Sequence, residues 1–85
     1  MNNTQQRIYN YLTSIIKINN IPVMITYHNI ASKLNLSEIT IKRNLDDMLA
    51  NHILYSSKIG NNYIYNTKPI DMNHDFVCYI RNMIW

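Results

Sequence analysis

The sequence predicts an α+β domain in which a helix, a short strand, two further helices and a β-hairpin follow one another, with an additional C-terminal helix. Two observations lead to this prediction. Apolar residues recur at helical spacing in four segments, and Gly60-Asn61-Asn62 separates two strand-like runs. A chain of 85 residues is long enough for one domain. We assign residues 1–68 to that domain and residues 69–85 to the additional helix.

The first helix is predicted over Thr4–Ile18, where apolar side chains fall three and four positions apart. Thr4 or Asn3 is expected to be its N-cap, because both side chains accept a hydrogen bond from a first-turn amide. Pro22 stops the helix, since proline disfavours a helical conformation in the residue before it. The three apolar residues that follow, Val23–Ile25, predict a short strand.

Two short helices are predicted next. Thr26 is expected to cap the second helix, which ends near Leu34, and Asn35 suits the left-handed conformation with which many helices end. Ser37 is expected to cap the third helix, which ends near residue 51. The inward side of this third helix is predicted to carry Ile41, Leu45 and Met48.

Two strands are predicted over residues 53–59 and 63–67, on either side of Gly60-Asn61-Asn62. Lys68-Pro69 interrupts the strand pattern, and a last helix is predicted over Asp71–Ile84. Its apolar residues are predicted to form a homodimer interface or to contact a partner protein. They are Phe76, Val77, Ile80, Met83, Ile84 and Trp85. The alternative is that this helix packs on its own domain, against the first helix.

Composition excludes several classes of protein. A single glycine excludes a glycine-rich phosphate loop, and a single cysteine excludes an intramolecular disulfide and a zinc site made of cysteines alone. No apolar run approaches the roughly 18 residues that span a membrane, and the first residues do not resemble a signal peptide. A free thiol without an export signal predicts a cytoplasmic protein. Because the sequence shows no catalytic signature, we expect that the protein is not an enzyme and needs no cofactor.

The charge balance favours an anionic partner. Eight Lys and Arg residues stand against five Asp and Glu residues, which gives a formal net charge of +3 and a pI near 9.1. An excess of positive charge attracts nucleic acid, although this one is mild for a dedicated DNA-binding protein.

The middle of the chain carries a pattern of small, apolar and hydroxyl residues, which are Ile30-Ala31, Leu34-x-Leu36-Ser37, Thr40-Ile41 and Arg43-x-Leu45. This pattern resembles the helix-turn-helix of winged-helix DNA-binding proteins, and the similarity covers about Arg7–Thr67. At two positions where similar proteins usually carry glycine, this chain has Asn35 and His52. The resemblance implies a winged helix-turn-helix fold in which the hairpin forms the wing.

The same resemblance implies how DNA is bound. The helix at about 37–51 would enter the major groove of duplex DNA, and the hairpin at about 53–67 would lie along the backbone. The residues implied to contact DNA are Ser37, Thr40, Lys42, Arg43, Asn44, Lys58, Asn61 and Asn62. Three carboxylates, Glu38, Asp46 and Asp47, share the exposed side of this helix and oppose contact with phosphates.

Two further groups of residues are open to two interpretations each. Tyr55, Tyr63 and Tyr65 either fill the sheet or form a stacking platform for single-stranded bases, helped by Lys58 and Lys68. The second group consists of side chains that can bind a metal ion, spaced three or four positions apart on the predicted last helix. Carboxylates near the start of a helix also occur without any metal, because they interact favourably with the helix dipole, so we expect no metal site. Its members are Asp71, His74, Asp75 and Cys78.

We therefore predict a small DNA-binding protein, and the leading hypothesis is a homodimeric transcriptional repressor that occupies an operator and blocks polymerase. Asn and Ile are abundant and both have A/T-rich codons, which indicates a bacterial, plasmid or phage genome rich in A/T. One alternative is a single-stranded DNA-binding or replication-accessory protein of a mobile element. Another is a protein-interaction winged helix that binds no nucleic acid.

Overall fold

Three helices and a three-stranded antiparallel sheet make up the part of the chain that the structure, a computed structural model, describes: residues 1–19 and 22–70. In chain order the elements are α1 (Asn3–Asn19), β1 (Val23–Met24), α2 (Tyr27–Leu34), α3 (Glu38–Ala50), β2 (Tyr55–Ile59) and β3 (Asn62–Asn66). The α+β class and the predicted order of these six elements are confirmed. The helix predicted over Asp71–Ile84 lies outside the described residues.

The start of α1 differs from the prediction. Asn2, and not Thr4 or Asn3, is the N-cap, because its Oδ1 accepts a hydrogen bond from the Gln5 amide at 2.7 Å. The Gln5 side chain accepts one in return from the Asn2 amide at 3.3 Å. This reciprocal pair is a capping box, so the cap is selected by the glutamine three positions after it.

The turn between α2 and α3 follows the sequence prediction. Thr26 Oγ1 accepts from the Asn29 amide at 3.1 Å and caps α2. Asn35 ends α2 with φ 57°, in the left-handed region, and the Leu36 amide donates to the Ala31 carbonyl at 3.0 Å. Asn is one of the few residues other than Gly that adopts this conformation readily, so the chain turns into α3 without a glycine.

The end of α3 is a second left-handed cap. His52 has φ 58°, its amide donates to the Leu49 carbonyl at 3.2 Å, and the Ile53 amide donates to the Met48 carbonyl at 2.9 Å. These two bonds are those of a Schellman motif. The His52 ring lies 5.9 Å from the ring of Tyr55, centroid to centroid. A β-carbon at a position that favours glycine makes His52 a strained residue.

This strain gives a prediction for stability. His52→Gly is expected to have a free energy of unfolding about 1 kcal/mol higher than His52→Ala, because both variants lose the imidazole ring and only alanine keeps the β-carbon. Urea unfolding followed by circular dichroism measures the difference. Equal stabilities would show that the left-handed conformation imposes no cost at this position.

The hairpin turn is shorter than predicted. Ile59 pairs directly with Asn62, so Gly60 and Asn61 alone form the turn and Asn62 belongs to β3. Gly60 has φ 62°, whereas Asn61 has a negative φ. A positive φ at only the first of two central residues is the pattern of a type II′ turn, which suits the twist of a hairpin.

The sheet has the order β1-β3-β2, with β3 in the centre. Val23 pairs with Tyr65, and Met24 pairs with Ile64. Successive side chains of a strand face opposite sides of the sheet, so Tyr65 and Ile64 lie on different faces. Tyr65 and Val23 face the helices and join the main core. Ile64 faces the other way and forms a second buried cluster with Ile59, against which Met24 and Ile70 pack.

The main core lies between the three helices and one face of the sheet. Leu49 of α3 is half-buried and packs against this core. The buried members are Ile8, Leu12, Val23, Ile30, Ala31, Ile41, Leu45, Met48, Leu54 and Tyr65. Within residues 1–19 and 22–70, no helix combines the length and the apolar character needed to cross a membrane.

Candidate nucleic-acid interface

The outer side of α3 is exposed and carries several of the predicted DNA contacts. Ile41, Leu45 and Met48 are completely buried, as the sequence predicted. At 100° per residue, the side opposite to them carries Ile39 and Arg43, with Asp46 one turn further. Arg43 is exposed, and Ile39 keeps 65% of its surface accessible. The helix thus presents one cation, one apolar side chain and one exposed carboxylate, Asp46, on the same stripe.

Charged side chains flank this stripe at the start of α3. Lys42 is exposed. Glu38 is exposed as well, and its Oε2 lies 3.5 Å from His28 Nδ1 of α2. The pair is an ion pair only when the imidazole is protonated, and at this exposure it contributes little to stability.

Two of the predicted DNA contacts serve as the cap of α3. Ser37 Oγ accepts from the Thr40 amide at 3.1 Å and lies 2.8 Å from Thr40 Oγ1. Ser37 is exposed and Thr40 is half-buried. The Ser37 hydroxyl bonds only one of the first-turn amides of α3. The other first-turn amides have no intrahelical partner, and such amides suit an anion such as phosphate.

Asn44 is not a free side chain on the outer face. Its Nδ2 donates to the Thr40 carbonyl at 2.7 Å, and its Oδ1 accepts from Asn2 Nδ2 at 3.2 Å. Both ends of the amide are therefore used inside the domain, in a contact between α3 and the start of α1. An amide held in this way does not offer the paired donor and acceptor that adenine needs.

Asp47 takes part in the same α1–α3 contact. Its Oδ2 accepts a 2.6 Å hydrogen bond from Gln5 Nε2, and its Oδ1 accepts from Asn51 Nδ2 at 3.2 Å. Gln5 is the buried polar residue among those described. One of the three carboxylates that oppose phosphate contact is thus drawn toward α1 and hydrogen-bonded there.

Arg7 was missed by the sequence analysis as a residue that joins helices. Its Nη2 donates to the Leu34 carbonyl at the end of α2, at 2.6 Å. A guanidinium at a helix C-terminus satisfies a carbonyl that lacks an intrahelical partner and interacts favourably with the helix dipole. No local signal marks this contact, because 27 positions separate the two residues.

The hairpin places its cation beside an aromatic ring. Lys58 is exposed and pairs across the strands with Tyr63. Its Nζ lies 5.7 Å from the centroid of the Tyr63 ring, and 45% of the surface of Tyr63 is accessible. Asn61 is exposed at the turn, and Asn62 beside it is half-buried.

The three strand tyrosines do not form one platform. Tyr65 is 2% exposed and belongs to the main core, so it offers no ring face to a base. Tyr55 pairs with Asn66 and therefore lies on the opposite face of the sheet from Tyr63, which pairs with Lys58. Of the three, Tyr63 alone is both exposed and on the face that carries Lys58. The stacking interpretation is thus restricted to Tyr63.

Burial raises the pKa of the Tyr65 phenol well above its usual value near 10, and the neighbouring phenol of Tyr27 acts in the same direction. The phenol of Tyr63 and the carboxylate of Asp46 add smaller contributions. The neutral phenol is therefore the form that the folded domain keeps.

This shift predicts an alkaline loss of stability. Below pH 10 both states hold the Tyr65 proton. Above pH 10 the unfolded chain releases the proton first, so that the free energy of unfolding falls as the pH rises. Urea unfolding between about pH 9 and 11 should show a steeper fall for the natural protein than for Tyr65→Phe. Tyr55→Phe is the control and should keep the full fall, because Tyr55 is not among the groups that shift the pKa of Tyr65. An unchanged slope in Tyr65→Phe would contradict the assignment.

The predicted apolar interface and the acidic cluster with metal-ligand spacing lie outside the described residues. The interface comprises Phe76, Val77, Ile80, Met83, Ile84 and Trp85, and the cluster comprises Asp71, His74, Asp75 and Cys78. Among the residues that the structure describes, no group of three or more His, Cys, Asp or Glu side chains is placed to hold a metal ion.

The chain matches no protein-family model, no curated protein and no solved structure.

Proposed function

We propose that this protein is a small DNA-binding regulator of the winged helix-turn-helix class, which binds duplex DNA through α3 and the hairpin. The observation that carries the proposal is the outward stripe of α3. A capped helix held by two others presents Arg43 away from the core, beside Lys42 and Ile39. A helix supported in this way fits the major groove, where arginine bonds guanine or phosphate and an apolar side chain contacts the thymine methyl group.

Four other residues that were predicted to contact DNA have different roles in this function. Ser37 and Thr40 form the cap whose neighbouring amides meet a phosphate, and Lys58 of the hairpin supplies a second phosphate contact. Asn44 acts by fixing α3 against α1 through Asn2, and not by reading a base.

The regulator is proposed to act as a homodimer, with residues 69–85 as the interface. Two-fold symmetry would present two copies of α3 to a palindromic operator, and occupancy of that operator would block polymerase.

A single-stranded DNA-binding or replication-accessory protein is the second candidate. The observation in its favour is the exposed Tyr63 ring with Lys58 beside it, since base stacking on an aromatic ring next to a cation is a common way to bind single strands.

Fluorescence anisotropy with labelled A/T-rich duplex and single-stranded oligonucleotides, at about 50 and 200 mM salt, distinguishes the two candidates. A regulator should prefer duplex, and its affinity should fall steeply with salt. Preference for single strands would favour the second candidate. Absence of binding to either at the lower salt would leave a protein partner as the function to test, and light scattering on the same sample measures the oligomeric state.

A further inference from the structure

A cleft of about 360 Å³ opens between the hairpin turn and the junction of β1 with α2. Its volume lies within the range of small-ligand sites. No part of the proposed duplex contact on α3 uses it. The cleft is lined by residues 24–26 and by Tyr27, Asn29, Asn61, Asn62, Tyr63 and Tyr65.

The cleft exists because β1 is short. The last pair between β1 and β3 is Met24 with Ile64, and two residues later Thr26 already caps α2. The chain therefore leaves the sheet before it reaches Tyr63, and the β1 side of that residue has no strand neighbour. Lys58 approaches Tyr63 from the opposite side, because β2 flanks β3 on the other edge.

The chemistry of the lining selects the ligand. None of the lining residues carries a charge near neutral pH, and burial keeps the Tyr65 phenol protonated by raising its pKa. The phenol of Tyr27 acts on the Tyr65 phenol and raises its pKa further, so these two phenols interact with each other within the domain. What remains is the partly exposed Tyr63 ring together with the side chains of Asn29 and Asn61, whose amides are donors and acceptors in one plane. Asn62 lines the cleft too, but its side chain lies on the other face of the sheet, because it pairs with Ile59. Such a lining suits a flat, neutral, aromatic molecule with a hydrogen-bonding edge.

We propose that this cleft binds one unpaired nucleobase, which stacks on Tyr63 and bonds the side-chain amides of Asn29 and Asn61. Lys58 lies across the Tyr63 ring from the cleft, so its positive charge attracts the phosphate of a nucleotide without lining the site. The base belongs either to a free nucleotide or to an unpaired position in a strand. The site contains no residue of α3, so it does not depend on the proposed contact of Arg43 with duplex DNA; it rests instead on the second candidate function, which uses the Tyr63 ring.

The test is a titration of the full chain with adenosine and thymidine monophosphates and with short single-stranded oligonucleotides, followed by NMR. The side-chain amide signals of Asn29 and Asn61 are expected to shift with one of these ligands. Shifts with the monophosphates identify a free nucleotide as the ligand, whereas shifts with the oligonucleotides alone identify a base in a strand. Both results support the proposal, and no shift with either class of ligand would overturn it.

Two tyrosine variants form a matched pair. Tyr63→Ala is expected to weaken binding roughly 5- to 150-fold, and Tyr55→Ala, on the other face of the sheet, is expected to leave binding unchanged. Equal losses in both variants, or no loss in Tyr63→Ala, would overturn the proposal. Arg43→Ala should retain this binding even if it abolishes duplex binding, so that failure of the duplex proposal and failure of this one give different results.

Discussion

Leu45→Ala is expected to lower the free energy of unfolding by about 3–5 kcal/mol. Leu45 is completely buried and lies at the centre of the inward side of α3, in the main core. Its truncation removes apolar contact and leaves a cavity that the surrounding helices fill only in part. Domains of this length have a total stability of roughly 4–13 kcal/mol, so the variant would lose a large share of it.

Ile39→Ala is the matched control for this substitution. Ile39 lies on the same helix and is 65% exposed, so its truncation should change the free energy of unfolding by no more than about 0.5 kcal/mol. Urea unfolding followed by circular dichroism compares the two variants with the natural protein. Similar losses in both would show that α3 does not have the orientation described, and the outward stripe would then lose its basis.

Arg43→Ala is expected to weaken binding to duplex DNA by about 1–3 kcal/mol, a factor of roughly 5 to 150, while the stability of the domain stays unchanged. Arg43 is exposed on the outward side of α3, opposite to the buried Leu45. The guanidinium has donors placed to meet two acceptors at once, which guanine and phosphate both offer. Anisotropy with a labelled duplex measures the loss.

Lys17→Ala is the control. Lys17 is an exposed cation in the last turn of α1, so this variant removes the same charge as Arg43→Ala. An equal loss in both variants would mean that the net charge alone attracts DNA, and the proposal for α3 would fail. The salt dependence of Arg43→Ala adds a second result. A phosphate contact should reduce the salt slope by about one and weaken all sequences alike, whereas a guanine contact should relax specificity at one base pair.

The ends of the helices show what local sequence determines. Thr26, Asn35 and Ser37 were predicted in their roles, because a cap is a contact between residues two to four positions apart. The cap of α1 was predicted one or two residues late, since the reciprocal bond between Asn2 and Gln5 was overlooked. That signal was present in the sequence and was equally local.

The candidate interface was predictable only in part. The exposure of Lys42 and Arg43 follows from helical periodicity, once Ile41 and Leu45 are assigned to the core. The role of Asn44 does not follow from it, because Asn2 is 42 positions away. The same separation hides the hydrogen bond between Gln5 and Asp47, which holds a carboxylate against α1.

The sequence by itself thus determined the three described helices, the caps of α2 and α3 and the position of the hairpin turn at Gly60, all of which depend on neighbours within a few positions. The tertiary structure alone decided which face of the sheet each tyrosine occupies, since β1 pairs with β3 across 42 residues of chain and sets the register. That pairing buries Tyr65, and the early end of β1 leaves Tyr63 beside an open cleft. Because strand residues alternate between faces, the pairing partner of a strand decides which face becomes core.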